Sequence, residues 1–298
     1  MLNAHCKKTT LRMTASILIL CMLICSASFP ASAAIVQEMG EADENSVQRS
    51  SGKAVSVLIN GKKYTGNAFL KDGSTYVGIR EFSMYMGASS VSWDGGKKTC
   101  TVKSDNLSLS AKNGSSYITA NERFLWASSG IIIISGTMYA PIRPLAKAFG
   151  YSVDWSQKDQ CAILTPSAPL ISGRSFYKAD EILWLSRIIH AEAQGEPFLG
   201  KIAVGTVVLN RVKNSMYPNT IYGVIFDRKN GVQFTPAQSG TIYCSPNEES
   251  IIAAKLCLDG ARINDKVLFF VNEELATSSW VSDNRPFIMT VGNHKFFA

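Results

Sequence analysis

One acid stands apart from the other ionisable residues of this chain. From Asp180 to Pro197, apolar residues recur at helical spacing as Ile182, Leu185, Ile188 and Ile189. At about 100° per residue, Glu192 falls on the stripe of Leu185, Ile188 and Ile189, away from the polar face of Arg187 and His190. Gly195 and the Glu196–Pro197 pair end the helix just beyond it. Asp180 is positioned to cap the helix start, and Glu181 suits its positive end. Burial and the negative helix end both disfavour the Glu192 anion and push its pKa upward, as a general acid working near neutral pH requires. The competing reading is a structural glutamate buried against an arginine.

Other chemistry finds less support. Glu196 tempts as a second carboxylate, but it lies past the helix end, so the four-residue spacing does not set it beside Glu192. A structural or cleft-rim role is expected. The histidines are His5, His190 and His294, and no His-Glu-x-x-His motif occurs, so neither a zinc triad nor any other metal or cofactor is expected. His294, on a terminal strand, reads as a hydrogen-bonded structural residue. A Cys–His nucleophilic site would need Cys244 or Cys257 beside His294.

The elements that must position Glu192 belong to a chain of 298 residues, 46% apolar and 18% charged, which accommodates two cores. Lys7, Lys8 and Arg12 precede an apolar run from Met13 to Phe29, and Ala31, Ser32 and Ala33 offer a cleavage site. Residues 1–33 therefore read as a secretory signal peptide, with an uncleaved membrane anchor as the alternative. Residues 34–52 read as a polar linker. Cys100, Cys161, Cys244 and Cys257 remain after cleavage, too few for a disulfide-built scaffold. Buried free thiols are the simple reading, with a Cys244–Cys257 bridge as the alternative. Part of the net charge of +7 lies in residues 1–33, and the remaining positive balance suits an exported protein near anionic wall polymers. No basic run with interleaved aromatics points to nucleic acid.

Residues 53–166 repeat themselves. Gly73, Tyr76, Ile79 and Arg80 return as Gly136, Tyr139, Ile142 and Arg143, an offset of 63 residues. Val91 and Trp93 return as Val153 and Trp155, at 62. Each copy reads as a strand, a short helix ending at Gly87 or Gly150, and a β-hairpin carrying Cys100 or Cys161. This stretch resembles the copper amine oxidase N-terminal-like domain. It contains no histidine, so the imidazoles favoured by protein copper sites are missing. The resemblance implies a non-catalytic module for wall attachment or for association with a wall-associated protein. Arg80 and Arg143 are expected to fix helix starts or pair internally, and Trp93 and Trp155 to serve the core.

After a linker at 167–174, residues 175–298 form the second part. Pro197 opens a helix rich in Val204, Val207 and Val208; Thr220 caps a short one through Phe226; Ser245, Pro246 and Glu248 form a capping box for a helix to Leu258. Strands are expected at 267–271 and within 287–297. The fold class is α+β, with helices first and a small antiparallel sheet last.

This part resembles the cell wall hydrolase family of spore cortex-lytic enzymes. The resemblance rests on the run from Arg187 through Glu192 to Pro197, then on Asn210–Arg211, Pro218–Thr220, Gln233–Pro236, Trp280, Arg285–Pro286 and Val291–Phe296. His190 stands where the family commonly has an aromatic. The resemblance implies a lysozyme-like helical core cutting peptidoglycan glycan strands, with Glu192 as the catalytic acid. It offers no support for Asp227, Glu248, Glu249 or Asp283 as nucleophiles. Gln233, Phe234, Trp280 and Arg285 are the candidates for binding sugar, since aromatic faces pack on rings while amide and guanidinium groups bond hydroxyls. A single acid and no partner points to lytic transglycosylase chemistry, and the resemblance implies spore cortex or cell wall as its substrate, in germination or wall remodelling. The alternatives are a muramidase or glucosaminidase that uses water, and an inactive wall-binding or spore-assembly protein. The expected location is outside the cell, in the wall or spore envelope.

Overall fold

The computed structural model describes residues 52–298, apart from Asn230 and Thr277. The expected signal peptide, its anchor alternative and nearly all of the 34–52 linker lie outside the described residues. Among those described, no helix is long and apolar enough to cross a membrane.

The chain is a mixed α+β protein whose sheets come first. One five-stranded sheet runs in the order Lys53–Ala54, Ala68–Lys71, Ser74–Gly78, Thr137–Pro141, Ile132–Ile134. A second runs Arg123–Trp126, Tyr117–Ala120, Leu107–Lys112, Thr99–Ser104, Ser90–Asp94. A third joins Tyr151–Ser156, Cys161–Pro166, Ser56–Ile59 and Lys62–Lys63, and its Cys161–Ser56 register is parallel. Alternation explains which faces turn inward: Cys100 and Val102, then Leu107, Leu109 and Ala111, are buried at every second position. They join Val57, Val77, Phe82, Leu125, Leu145 and Leu164 in one core.

Two short helices close over this core, α1 at Ile79–Tyr85 and α2 at Ile142–Ala148. Each stops just before a glycine in the left-handed region, Gly87 at φ 87° and Gly150 at φ 77°. The turns at Asp72–Gly73 and Ser135–Gly136 have both residues at positive φ, the type I′ geometry that matches strand twist in a two-residue hairpin. Where Ser74–Gly78 meets Thr137–Pro141, the antiparallel register sets Tyr76 opposite Pro141, Val77 opposite Ala140, and Gly78 opposite Tyr139.

The connecting stretch is fastened to the sheets. Ser172 caps the single turn α3 at Gly173–Phe176, and Gly173 N–H donates to the Asn121 carbonyl. Arg174 pairs with Glu122. Beyond it come α4 at Ala179–Ala193, α5 at Phe198–Lys213, α6 at Ile221–Phe226, α7 at Thr235–Ser239 and α8 at Glu248–Leu258. The short helix α9, Trp280–Asn284, precedes the last two strands of a sheet ordered Phe269–Val271, His294–Phe297, Phe287–Val291.

Helix α5 is the centre of this second core. Every residue from Gly200 to Arg211 is buried, which is the signature of a helix surrounded on all sides. Gly205 permits its close approach to α4 and α8, since a Cβ there would lie 2.7 Å from Cys257 Sγ and 3.0 Å from Ile189 Cδ1. Leu185, Ile188, Val204, Val208 and Leu256 fill the space between these helices.

Local details depart from the sequence expectations at both helix starts. Lys178 stands at the N-cap of α4, and Asp180 lies inside the first turn with Glu181, where its charge rather than a capping bond favours the helix. For α8 the cap is Asn247, whose Oδ1 accepts from Ser250 N–H. Ser245 and Pro246 therefore precede the cap, because the asparagine offers the better-placed oxygen.

A buried ionic hub joins the sheets to the helices. Asp259, just past α8, accepts from Arg123 Nε at 2.7 Å and Nη2 at 3.0 Å, from Lys147 Nζ at 2.5 Å and from Tyr177 Oη at 3.3 Å. Its side chain is 2% exposed. Arg123 also lies over the Phe176 ring. The carboxylate is fully engaged, which is the condition under which a buried charge is tolerated.

Cys100, Cys161 and Cys257 are buried free thiols, and the Cys244–Cys257 bridge is not made. Cys257 Sγ faces the Ile202 carbonyl at 3.5 Å, and complete burial pushes its thiol pKa up to about 12.

Candidate active site

Glu192 lies in the last turn of α4, one residue before buried Ala193. Its carboxyl is largely shielded from solvent, and among the described residues no hydrogen bond or ion pair reaches it. Desolvation raises its pKa from the ordinary 4.5 to about 7. No arginine among the described residues neutralises it, so the structural-glutamate reading finds no partner there. A carboxyl with this pKa is able to hold a proton near neutral pH, donate it to an oxygen and then act as the conjugate base.

Glu196 does something else. Its Oε2 accepts from Asn293 N–H at 2.9 Å and its Oε1 from Asn293 Nδ2 at 3.0 Å. It ties the start of α5 to the final hairpin and is 8% exposed. Gly292, at φ 58°, makes this possible: a Cβ there would meet Glu196 Oε2 at 2.0 Å. His294 is buried between Phe270 and Phe296, with its Nδ1 3.8 Å from Glu196, too far to bond. It is held by packing, not by the expected hydrogen bond, and burial lowers its pKa. His190 Nδ1 accepts weakly from Asn247 N–H at 3.4 Å, beside the α8 cap.

Three of the four candidate sugar-binding residues share one cavity of about 580 Å³, the size of a small-ligand site. Gln233 is half-buried, while Arg285 and Trp280 are exposed, with the Arg285 guanidinium 5.2 Å from the Trp280 ring centre and 4.6 Å from that of Phe269. Phe234 is not a cavity wall. It is 2% exposed and stacks in the core near Phe270, so it presents no ring face to a solute. The aromatic next to Gln233 in sequence points inward because α7 starts there and buries it.

Several residues in the cavity were not singled out for binding from the sequence. Arg211, 4% exposed, donates from Nε to the Leu268 carbonyl at 2.7 Å and reaches Gln233 Oε1 at 3.4 Å. Tyr217, Phe234 and Phe269 surround its guanidinium, and burial lowers its pKa. Its place among the apolar Val207, Val208, Leu209 and Val212 was the available signal. Asp227 also lines the cavity, with Oδ1 accepting from Lys229 N–H. Glu192 is not among the lining residues; α4 approaches this region by packing on α7, which begins two residues after Gln233.

The helical part thus carries a desolvated carboxyl on α4 and, lined by other residues, a polar cavity rimmed by indole, guanidinium and amide groups. The cell wall hydrolase family model matches residues 195–297, and the copper amine oxidase N-terminal domain model matches residues 58–164. A spore cortex-lytic enzyme of Bacillus cereus is 37% identical over 120 residues, 40% of this chain and 45% of the relative. The cell wall hydrolase CwlJ of Oceanobacillus iheyensis is 30% identical over 107 residues, 34% of this chain and 74% of that protein. Among solved structures, the catalytic domain of the germination-specific lytic transglycosylase SleB from Bacillus anthracis is 35% identical. It is covered completely by 43% of this chain, with a TM-score of 0.38. The chain belongs to the cell wall hydrolase family. It spans about 45% of the length of the cortex-lytic relative from Bacillus cereus. Glu192 lies three residues before the matched family segment begins.

Proposed function

We propose that this protein cleaves the glycan strands of peptidoglycan as a lytic transglycosylase, in spore cortex or cell wall, during germination or wall remodelling. The observation that carries the reading is the unpaired Glu192 carboxyl, poised at a pKa of about 7 by desolvation. Glu192 protonates the departing glycosidic oxygen. As a carboxylate it then takes the proton of the muramoyl 6-hydroxyl, whose oxygen attacks the anomeric carbon and closes a 1,6-anhydro ring. No second carboxylate or metal enters this sequence. Gln233, Trp280 and Arg285 hold the sugars, with Arg211 fixing Gln233 from behind.

In this reading residues 175–298 form the catalytic domain around a lysozyme-like helical core, and residues 53–166 form a separate module built from two copies of one strand–helix–hairpin unit. The register at Val77 and Ala140 supports that duplication: with an offset of 63, the Tyr76–Pro141 and Tyr139–Gly78 pairs exchange into one another. The module serves wall attachment or association with a wall-associated protein, and the protein acts outside the cell, in the wall or spore envelope.

The test compares the parent with Glu192→Gln on vegetative peptidoglycan and on cortex, with products read by mass spectrometry. Anhydro-muramoyl ends made only by the parent are expected. Reducing ends would replace the transglycosylase with a hydrolase, for which Asp227 in the cavity is the available partner acid. No products from either substrate would leave an inactive wall-binding protein.

A further inference from the structure

The sheet-rich part contains a second cavity, of about 470 Å³, lined by none of the residues of the candidate active site. Its walls are Trp126, Trp155, Arg143, Asp154, Gln157 and Gln160, closed on one side by the Gly73 turn. Both indoles are half-buried, which holds them rigidly while leaving part of each surface open. Trp155 Nε1 donates to Gln157 Oε1 at 3.2 Å, so the Gln157 amide N–H groups remain available to a ligand. Arg143 uses Nη1 on the Val153 carbonyl and keeps its other donors. The exposed Asp154 lines the same cavity and supplies acceptors.

The counterpart in the other half of the sheet sharpens the point. Residues at the offset positions, Arg80 and Trp93 with the Gly136 turn, line a cavity of about 270 Å³. Each cavity is therefore built from the arginine and tryptophan of one segment and the glycine turn of the other. The smaller one is closed by Cys100, Ile133 and Met138 and has no amide or carboxylate side chain. The same frame thus carries polar groups in one cavity and apolar filling in the other. A frame requirement would place polar groups in both, and only the larger cavity carries amide and carboxylate side chains.

We propose that the Trp126–Trp155 cavity is a saccharide-binding site that takes an uncharged N-acetylated hexosamine unit of a glycan. Indole faces pack on the ring, the Gln157 amide and Arg143 donate to the acetamido carbonyl and hydroxyls, and Asp154 accepts from hydroxyls. The opposed charges of Arg143 and Asp154 select against a polyanion such as a phosphate-linked wall polymer. That this glycan is the polymer cleaved elsewhere in the chain rests on the proposed function; the sugar chemistry of the cavity does not.

The full-length Glu192→Gln protein would be titrated by calorimetry with a β-1,4-linked tetramer of N-acetylglucosamine, and separately with polyglycerol phosphate. A binding event is expected that Trp155→Ala and Gln157→Ala each weaken by about tenfold or more, and that Trp93→Ala leaves within about twofold. Gln157 is exposed, so its substitution tests the site even if Trp155→Ala unfolds the sheets, which circular dichroism reports. Unchanged titration of the folded Gln157→Ala protein would overturn the proposal, as would equal loss in Trp93→Ala or binding of the polyanion in place of the saccharide. Turnover of short soluble glycan by Gln157→Ala in the Glu192 background, measured beside the parent, separates the two claims. An inactive parent sinks the proposed function alone, whereas a slowed Gln157→Ala chain assigns the residue to cleavage and sinks this one.

Discussion

Replacing Glu192 by glutamine should stabilise the protein in alkaline solution and, under the proposed function, remove its activity, because both effects would come from the same desolvated carboxyl. Moving its pKa from 4.5 to about 7 means that the folded chain holds this proton about 300-fold more tightly than the unfolded chain. By linkage this is a stability term of about 3 kcal/mol. The sign follows from proton binding. Below about pH 4.5 the group is protonated in both states, and the term is present in full. As pH rises through 7, the folded protein must carry a buried anion and the term is lost. Glutamine keeps the shape and cannot ionise, so the variant does not lose it.

The Tm of Glu192→Gln minus that of the parent should therefore grow by roughly 6–12 °C between pH 4.5 and pH 8.5, at about 2–4 °C per kcal/mol for a chain of this size. Scanning calorimetry of both proteins at fixed ionic strength measures it. A difference that stays constant with pH, or shrinks, would refute the claim that burial without a partner sets this pKa. In the parent, activity on peptidoglycan should decline above about pH 7, where the donor proton is lost.

Other perturbations probe the frame. Asp259→Ala removes the shared acceptor of Arg123, Lys147 and Tyr177, and should cost about 3–5 kcal/mol in denaturant unfolding, because it strands a buried guanidinium. Gly292→Ala should lower stability by more than about 1 kcal/mol and loosen the final hairpin, read as faster amide exchange at Asn293, since the added methyl group collides with Glu196 at a left-handed backbone. Asp227→Asn should change the rate of glycan cleavage by less than about fivefold if the muramoyl hydroxyl is the nucleophile; a loss of about a hundredfold or more would make it the base for water.

The stripe of Leu185, Ile188 and Ile189 was legible because helical periodicity is a local property, and the position of Glu192 on it followed directly. The offset of 63 residues was equally plain, since a glycine-marked turn and the residues after it recur in order. Helix caps were less legible: Ser245 and Asn247 both offer suitable oxygens, and only backbone placement chose the second. Phe234 shows the limit for side chains. Its neighbour Gln233 lines the cavity, and which of two adjacent residues faces solvent depended on where α7 began.

The amino-acid sequence by itself determined the longer helices, the α+β class and the acid out of place on an apolar face, because these depend on residue spacing along one element. Tertiary structure alone decided that no arginine among the described residues reaches Glu192, and that Arg211 backs Gln233 across 22 residues. It also decided that Asp259 gathers donors from positions 123, 147 and 177. Whether a buried charge is paired depends on distances between segments far apart in the chain, and pairing is what separates a structural carboxylate from one left free to exchange its proton.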